Sequence, residues 1–155
     1  MTGKIEARLA ELGLTLPDAP APAANYVPWL QVGDLVFISG QISQGPDGLI
    51  KGRLGADMDV AAGAQAARRC GLSLLAQARA ACGGDLDRIS RVVKLTAFVN
   101  STGDFTDQPK VVNGCSDLLV EVLGEAGRHT RSAVSTPSLP LGVAVEIDAI
   151  FQVRG

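Results

Sequence analysis

Two charged side chains stand in short, mostly apolar runs near the carboxyl terminus, Arg131 in TRSAVST and Glu146 in VAVEIDAIF. A guanidinium is a rigid fork of donors that meets a carboxylate through two parallel hydrogen bonds, so an arginine fixed on a strand can anchor a small acid. A glutamate nearby could then orient a water. The same two residues could instead neutralise each other as a structural ion pair, the usual way charges are tolerated inside a protein. His129, the one histidine, precedes Arg131 by two positions and has no carboxylate close in sequence to orient it, so its type and place favour a capping or surface role over catalysis. Cys70, Cys82 and Cys115 form no Cys-x-x-Cys pair and two of them fall on helix faces beside leucines and alanines, which marks them as small core residues.

The chain that must position these groups has 155 residues, the size of one hydrophobic core, and at 46% hydrophobic and 19% charged it has the composition of a folded domain. Its net charge of −2 lacks the basic excess of a nucleic-acid binder, so no nucleic-acid partner is expected. No apolar run reaches the length of a membrane span and no signal-peptide core opens the chain; with unpaired cysteines, the expected setting is the reducing cytoplasm. Phosphate-cradling glycine motifs, metal-ligand clusters and Ser-His-Asp orders are absent.

Residues 1–24 form a short amphipathic helix capped by Thr2, an appendage to the core, followed by the proline-rich connector LPDAPAPAA. From residue 25 the pattern turns to strands over 26–32 and 35–38, joined by Gly33-Asp34. Ser39-Gly40-Gln41 closes the second strand, where Gly40 marks either a bulge or turn, or a close approach of the backbone to a ligand. A long helix begins at Asp57 or Asp59 and runs to about Cys82; its alanine- and glycine-rich inner face allows close packing on a sheet. A strand over 91–99 follows, with Val93, Leu95, Ala97 and Val99 on one side, then a helix over 106–123 and two strands, one opened by Arg131 and one over 143–153. The order predicts an α+β domain, a single mixed sheet with two helices on one face. The opposite face, with Val92, Phe98 and Ile150, needs a cover, and oligomerisation is the economical one.

With these residues in view, the chain over 25–153 resembles the RidA family, also called YjgF and described as endoribonuclease L-PSP. The resemblance rests on RSAV at 131–134, Leu139-Pro140, VEIDAI at 145–150, FISGQI at 37–42, Lys94-Leu95-Thr96 and Asp104-Phe105. It implies a chorismate-mutase-like fold, a homotrimeric barrel with a cleft at each subunit interface, and cofactor-free hydrolysis of 2-imino acids to 2-oxo acids and ammonia. Carried over, Arg131 holds the substrate carboxylate, Glu146 holds the attacking water and Tyr26 lines the cleft. Ser39, Gly40 and Ala133 meet the ligand, and Asn113 is the helix asparagine. A glutamate beside that cation would stay ionised and accept a proton rather than donate one. Departures are Ala133 where a cysteine is usual, Asn25 before the tyrosine, Trp29 after it, and the amino-terminal extension, which together suggest a longer-chain branch. The alternatives are a non-catalytic module that binds small carboxylates and, with less support from charge and aromatic content, a ribonuclease.

Overall fold

A computed structural model describes residues 3–22 and 24–155; the cap expected at Thr2 lies outside them. Strand β1 (Trp29–Val32) turns through Gly33, whose φ of +63° suits glycine, into β2 (Leu35–Ile42). The small hairpin β3 (Gln44–Gly45) and β4 (Gly48–Leu49) leads towards helix α2 (Val60–Ala81), whose first turn is capped by Asp59 Oδ1 accepting from the Ala62 amide at 2.8 Å. Then come β5 (Ile89–Asn100), α3 (Gln108–Leu123), β6 (Thr130–Thr136) and β7 (Val145–Val153). The sheet order is β1-β2-β7-β5-β6, antiparallel except for the β5–β6 pair, which α3 joins as a crossover. This is the expected α+β domain, with α2 and α3 over one face of one mixed sheet and a third, short helix at the amino end.

The inner sheet face is an alternating set, with Val145, Ile147, Ala149, Phe151 and Val153 of β7 all buried. In β5 the alternation slips. The register shifts between Val92 and Lys94, so Val92 faces the helices fully buried and Val93 does not, the reverse of the simple period-two expectation. Phe98 and Ile150 do lie on the open face, in register with exposed Val134 and Phe37.

The small residues of α2 serve its contact with α3 as much as with the sheet. A Cβ on Gly71 would meet Cys115 Sγ at 3.1 Å, and one on Gly114 of α3 would run into the Ala64 carbonyl, whose carbon lies at 2.7 Å. Gly114→Ala must therefore move a helix backbone. It is expected to cost about 2–3 kcal/mol and lower Tm by roughly 5–10 °C in thermal denaturation.

The amino-terminal segment is packed into the core rather than hung beside it. In α1 (Lys4–Glu11) Leu9 is buried, and beyond it so is Leu16. The Asp87 carboxylate caps this helix from another part of the chain, accepting the Lys4 and Ile5 amides at 2.9 and 3.0 Å. Those bonds hold its pKa below the ordinary carboxylate value.

Candidate functional site

Arg131 and Glu146 project from opposite faces of the sheet. Arg131 pairs with Leu95, whose other neighbour is Ala149, and these face the helices. Glu146 lies in the row Ile42, Glu146, Phe98, Val134 on the open face. Two strand spacings and three residues of rise separate their Cα atoms by ~14 Å. No ion pair joins them among the described residues, so the structural pairing that their types allowed is not formed.

Arg131 is held against α3. Its Nη1 donates to Ser116 Oγ at 3.0 Å and its Nη2 to the Pro109 carbonyl at 3.3 Å. Pro109, Asn113 and Ser116 follow the spacing of one helix face, which sets exposed Asn113 beside the guanidinium. Ala133 sits two residues along β6 on the same side, half-buried against the core.

Sequence alone did not connect Ser116 and His129 to this group. His129 Nδ1 lies 2.6 Å from the Gly127 carbonyl. A carbonyl only accepts, so the proton is on Nδ1 and Nε2 accepts from the Ser116 hydroxyl at 2.8 Å. Ser116 thus passes a hydrogen bond on to neutral His129 while receiving one from Arg131. Burial, reinforced by Arg131, lowers the His129 pKa against the Gly127 bond and favours this neutral state. The period-3.6 alignment of Ser116 with Asn113 was the available signal; the return of the chain through a 3-10 turn at Gly124–Gly127 is what brings the imidazole over it.

Glu146 belongs to a second group. A Cβ on Gly40 would collide with its carboxylate, whose Cδ lies at 3.0 Å. The β2 register shifts between Ile38 and Gln41, so Gly40 lies in the expected irregularity, and the group that its missing Cβ admits is the Glu146 carboxylate of the same chain. Glu146, Gly40 and Tyr26 line a cavity of about 490 Å³. Ser39 is committed elsewhere, its Oγ donating to the Val27 carbonyl at 2.7 Å, and with Trp29 and Asp148 it lines the adjoining groove of about 280 Å³.

Burial raises the Glu146 pKa above the ordinary glutamate value, and Asp148, two residues along the same face, raises it further. Among the described residues of one chain no ion pair reaches Glu146, so a cation that would keep it ionised must come from outside the chain. A carboxyl moved towards neutrality can both take and return a proton. Gly40→Ala would displace this carboxylate, and since its contact is with a side-chain end, Tm should hold while any turnover that uses Glu146 falls about tenfold or more. Steady-state kinetics with a thermal melt checks both.

The thiols are not candidates. Cys70, Cys82 and Cys115 are buried and free, and burial pushes Cys115 up to about 12. Among the described residues no group of three or more His, Cys, Asp or Glu side chains could hold a metal, and no helix is long and apolar enough to cross a membrane.

Residues 6–151 match the family model described as "YjgF/chorismate_mutase-like, putative endoribonuclease". The chain belongs to the RidA/YjgF family. Protein TCP17 of Trypanosoma cruzi is 47% identical to it over 155 residues, 99% of this chain and 96% of that protein. The Agrobacterium tumefaciens protein Atu1372, of unknown function, is 48% identical with a TM-score of 0.90, covering 97% of this chain and 92% of its own. Escherichia coli TdcF, solved with bound serine, is 30% identical with a TM-score of 0.60 over 88% of this chain and 94% of its own. The matches to TCP17 and Atu1372 are long enough to take in the amino-terminal extension that the shorter RidA/YjgF resemblance left aside.

Proposed function

We propose that this RidA/YjgF protein hydrolyses 2-imino acids to 2-oxo acids and ammonia, in a site that two copies of the chain complete. The observation that carries the proposal is the pair of half-sites: an anchored arginine with free donors at the β6 edge, and a glutamate, its pKa raised by burial, in a cavity off the other face. One small ligand can engage both only if a neighbouring copy brings its Arg131 to the Glu146 cavity. The exposed Leu30, Val32, Phe37 and Val134 give the open face an apolar surface for such a neighbour, and a homotrimer closes that arrangement.

In this scheme Arg131 binds the substrate carboxylate, and Asn113 and Ala133 flank it. Water held by Glu146 adds through oxygen to the imine carbon, the C–N π electrons move to nitrogen, and the water proton passes to Glu146. The carboxyl returns that proton to nitrogen, giving a carbinolamine; the carboxylate then takes the hydroxyl proton and passes it to the amine, the O–H electrons form the carbonyl as the C–N bond breaks, and ammonia leaves. The imine carbon is already electrophilic, so positioning and proton transfer suffice and no cofactor is required. Three buried free thiols suit a reducing compartment such as the cytoplasm.

The test is release of 2-oxo acid and ammonia from imino acids generated in place by an amino-acid oxidase. Acceleration over the uncatalysed rate is expected. Its absence in a folded, oligomeric preparation would remove the enzyme and leave a carboxylate-binding module.

A further inference from the structure

The Glu146 cavity is not walled by the sheet and its loops alone. Pro20, Ala21 and Pro22, from the segment that follows α1, line it together with Tyr26 and Leu141. This segment is tied down at both ends of its run. Leu9 and Leu16 are buried in the core, and the Gln77 side chain of α2, only 1% exposed, donates to the Pro20 carbonyl at 2.7 Å. Gln77 Nε2 also lies 3.4 Å from Oε1 of Gln41, another cavity residue. Proline has no amide proton, so Pro20 and Pro22 present hydrocarbon without an unmet backbone donor.

Leu141 adds a second, independent observation. It has a φ of +62° and is 61% exposed, at the cavity rim. Left-handed backbone is disfavoured for a branched side chain, and glycine would hold it without strain. Its left-handed backbone turns the leucine side chain outward, where it lines the cavity with Pro140.

Within one chain the space is about 490 Å³, ~16 times the volume per water in the liquid, and a neighbouring copy that brings its Arg131 to it takes up part of that room. We infer that the amino-terminal extension sets substrate size: Pro20–Pro22, Tyr26 and Leu141 receive the branched or aromatic side chain of a 2-imino acid whose imine carbon lies at Glu146. The inference rests on the deaminase reading for its chemistry but on the cavity walls for its selectivity, and the two separate in the test.

Full-length wild type, Ala21→Trp and Leu141→Gly would be compared on imino acids derived from alanine, leucine and phenylalanine. Wild type should prefer the leucine and phenylalanine derivatives, and either variant should reduce that preference, as a ratio of kcat/KM to the alanine derivative, by about tenfold. Leu141→Gly relieves backbone strain, so its melting temperature should not fall. A wild-type preference for the alanine derivative, or a ratio unchanged in both variants, would overturn the inference. If no imino acid is turned over, the deaminase fails by itself, and calorimetric binding of pyruvate, 4-methyl-2-oxopentanoate and phenylpyruvate decides the cavity: tighter binding of the larger acids, weakened in Ala21→Trp, supports it, and equal or weaker binding overturns it.

Discussion

Arg131→Ala should lower kcat/KM for 2-imino acids by about 10²–10³-fold, the loss expected when one partner of a charge-assisted, forked pair is removed. Two of the five guanidinium N–H donors hold the side chain to Ser116 and Pro109, which leaves three to meet a carboxylate. The Ser116–His129 relay matters here because it fixes the fork before any ligand arrives, so little ordering remains at binding. Arg131 lies at a half-buried sheet edge and its two acceptors can turn to water, so the melting temperature and oligomeric state of the variant should stay close to wild type. Arg131→Lys keeps the charge without the fork and should recover only part of the loss. Normal activity in Arg131→Ala would remove the arginine from the site.

Glu146→Gln should act in two opposite directions. Turnover should fall about 10²-fold or more, since the amide cannot shuttle a proton, while ligand binding should weaken much less. Stability should rise at neutral pH. The folded carboxyl has a raised pKa, so between the ordinary glutamate value of 4.5 and that raised value the native state holds more proton than the unfolded chain, and stability falls as pH rises through this window. The variant escapes that fall. Because Glu146 is half-buried and screened, and a neighbouring copy's Arg131 opposes the shift in the assembled site, the gain in Tm at pH 7 should be at most about 1–2 °C, vanishing below the ordinary glutamate range. Parallel melts at pH 4 and 7, with kinetics at pH 7, check both effects. Equal losses of kcat and binding would assign Glu146 a structural role.

The elements that sequence pattern located well are those whose signals are local. Asp59 caps α2, Pro109 lies in the first turn of α3, and the alternation of β7 is unbroken. The misses come where backbone irregularity overrides a period. The bulge near Val93 exchanges the sides of Val92 and Val93, and β1 begins at Trp29 instead of Tyr26, because Pro28 accepts the Ser39 amide but has no N–H to complete the pair. At the site, the residue types of Arg131 and Glu146 were legible, and so was the glycine that makes room beside the glutamate. Their placement on opposite faces was not, since it depends on which neighbours β6 and β7 choose and on the register of each pairing. The proline connector read as a featureless linker for a similar reason: only tertiary packing, through Gln77, makes it a cavity wall.

The most direct measurement mixes the two inactive proteins. Arg131→Ala and Glu146→Gln would be unfolded, combined in equal amounts and refolded together, and imine hydrolysis measured against each variant refolded alone. If neighbouring copies contribute Arg131 and Glu146 to one site, random assembly leaves about a quarter of the sites with both native residues, and activity should return to about that fraction of wild type. If one chain supplies both residues, every site in the mixture carries a defect. Activity no higher than that of the separate variants would contradict the shared site.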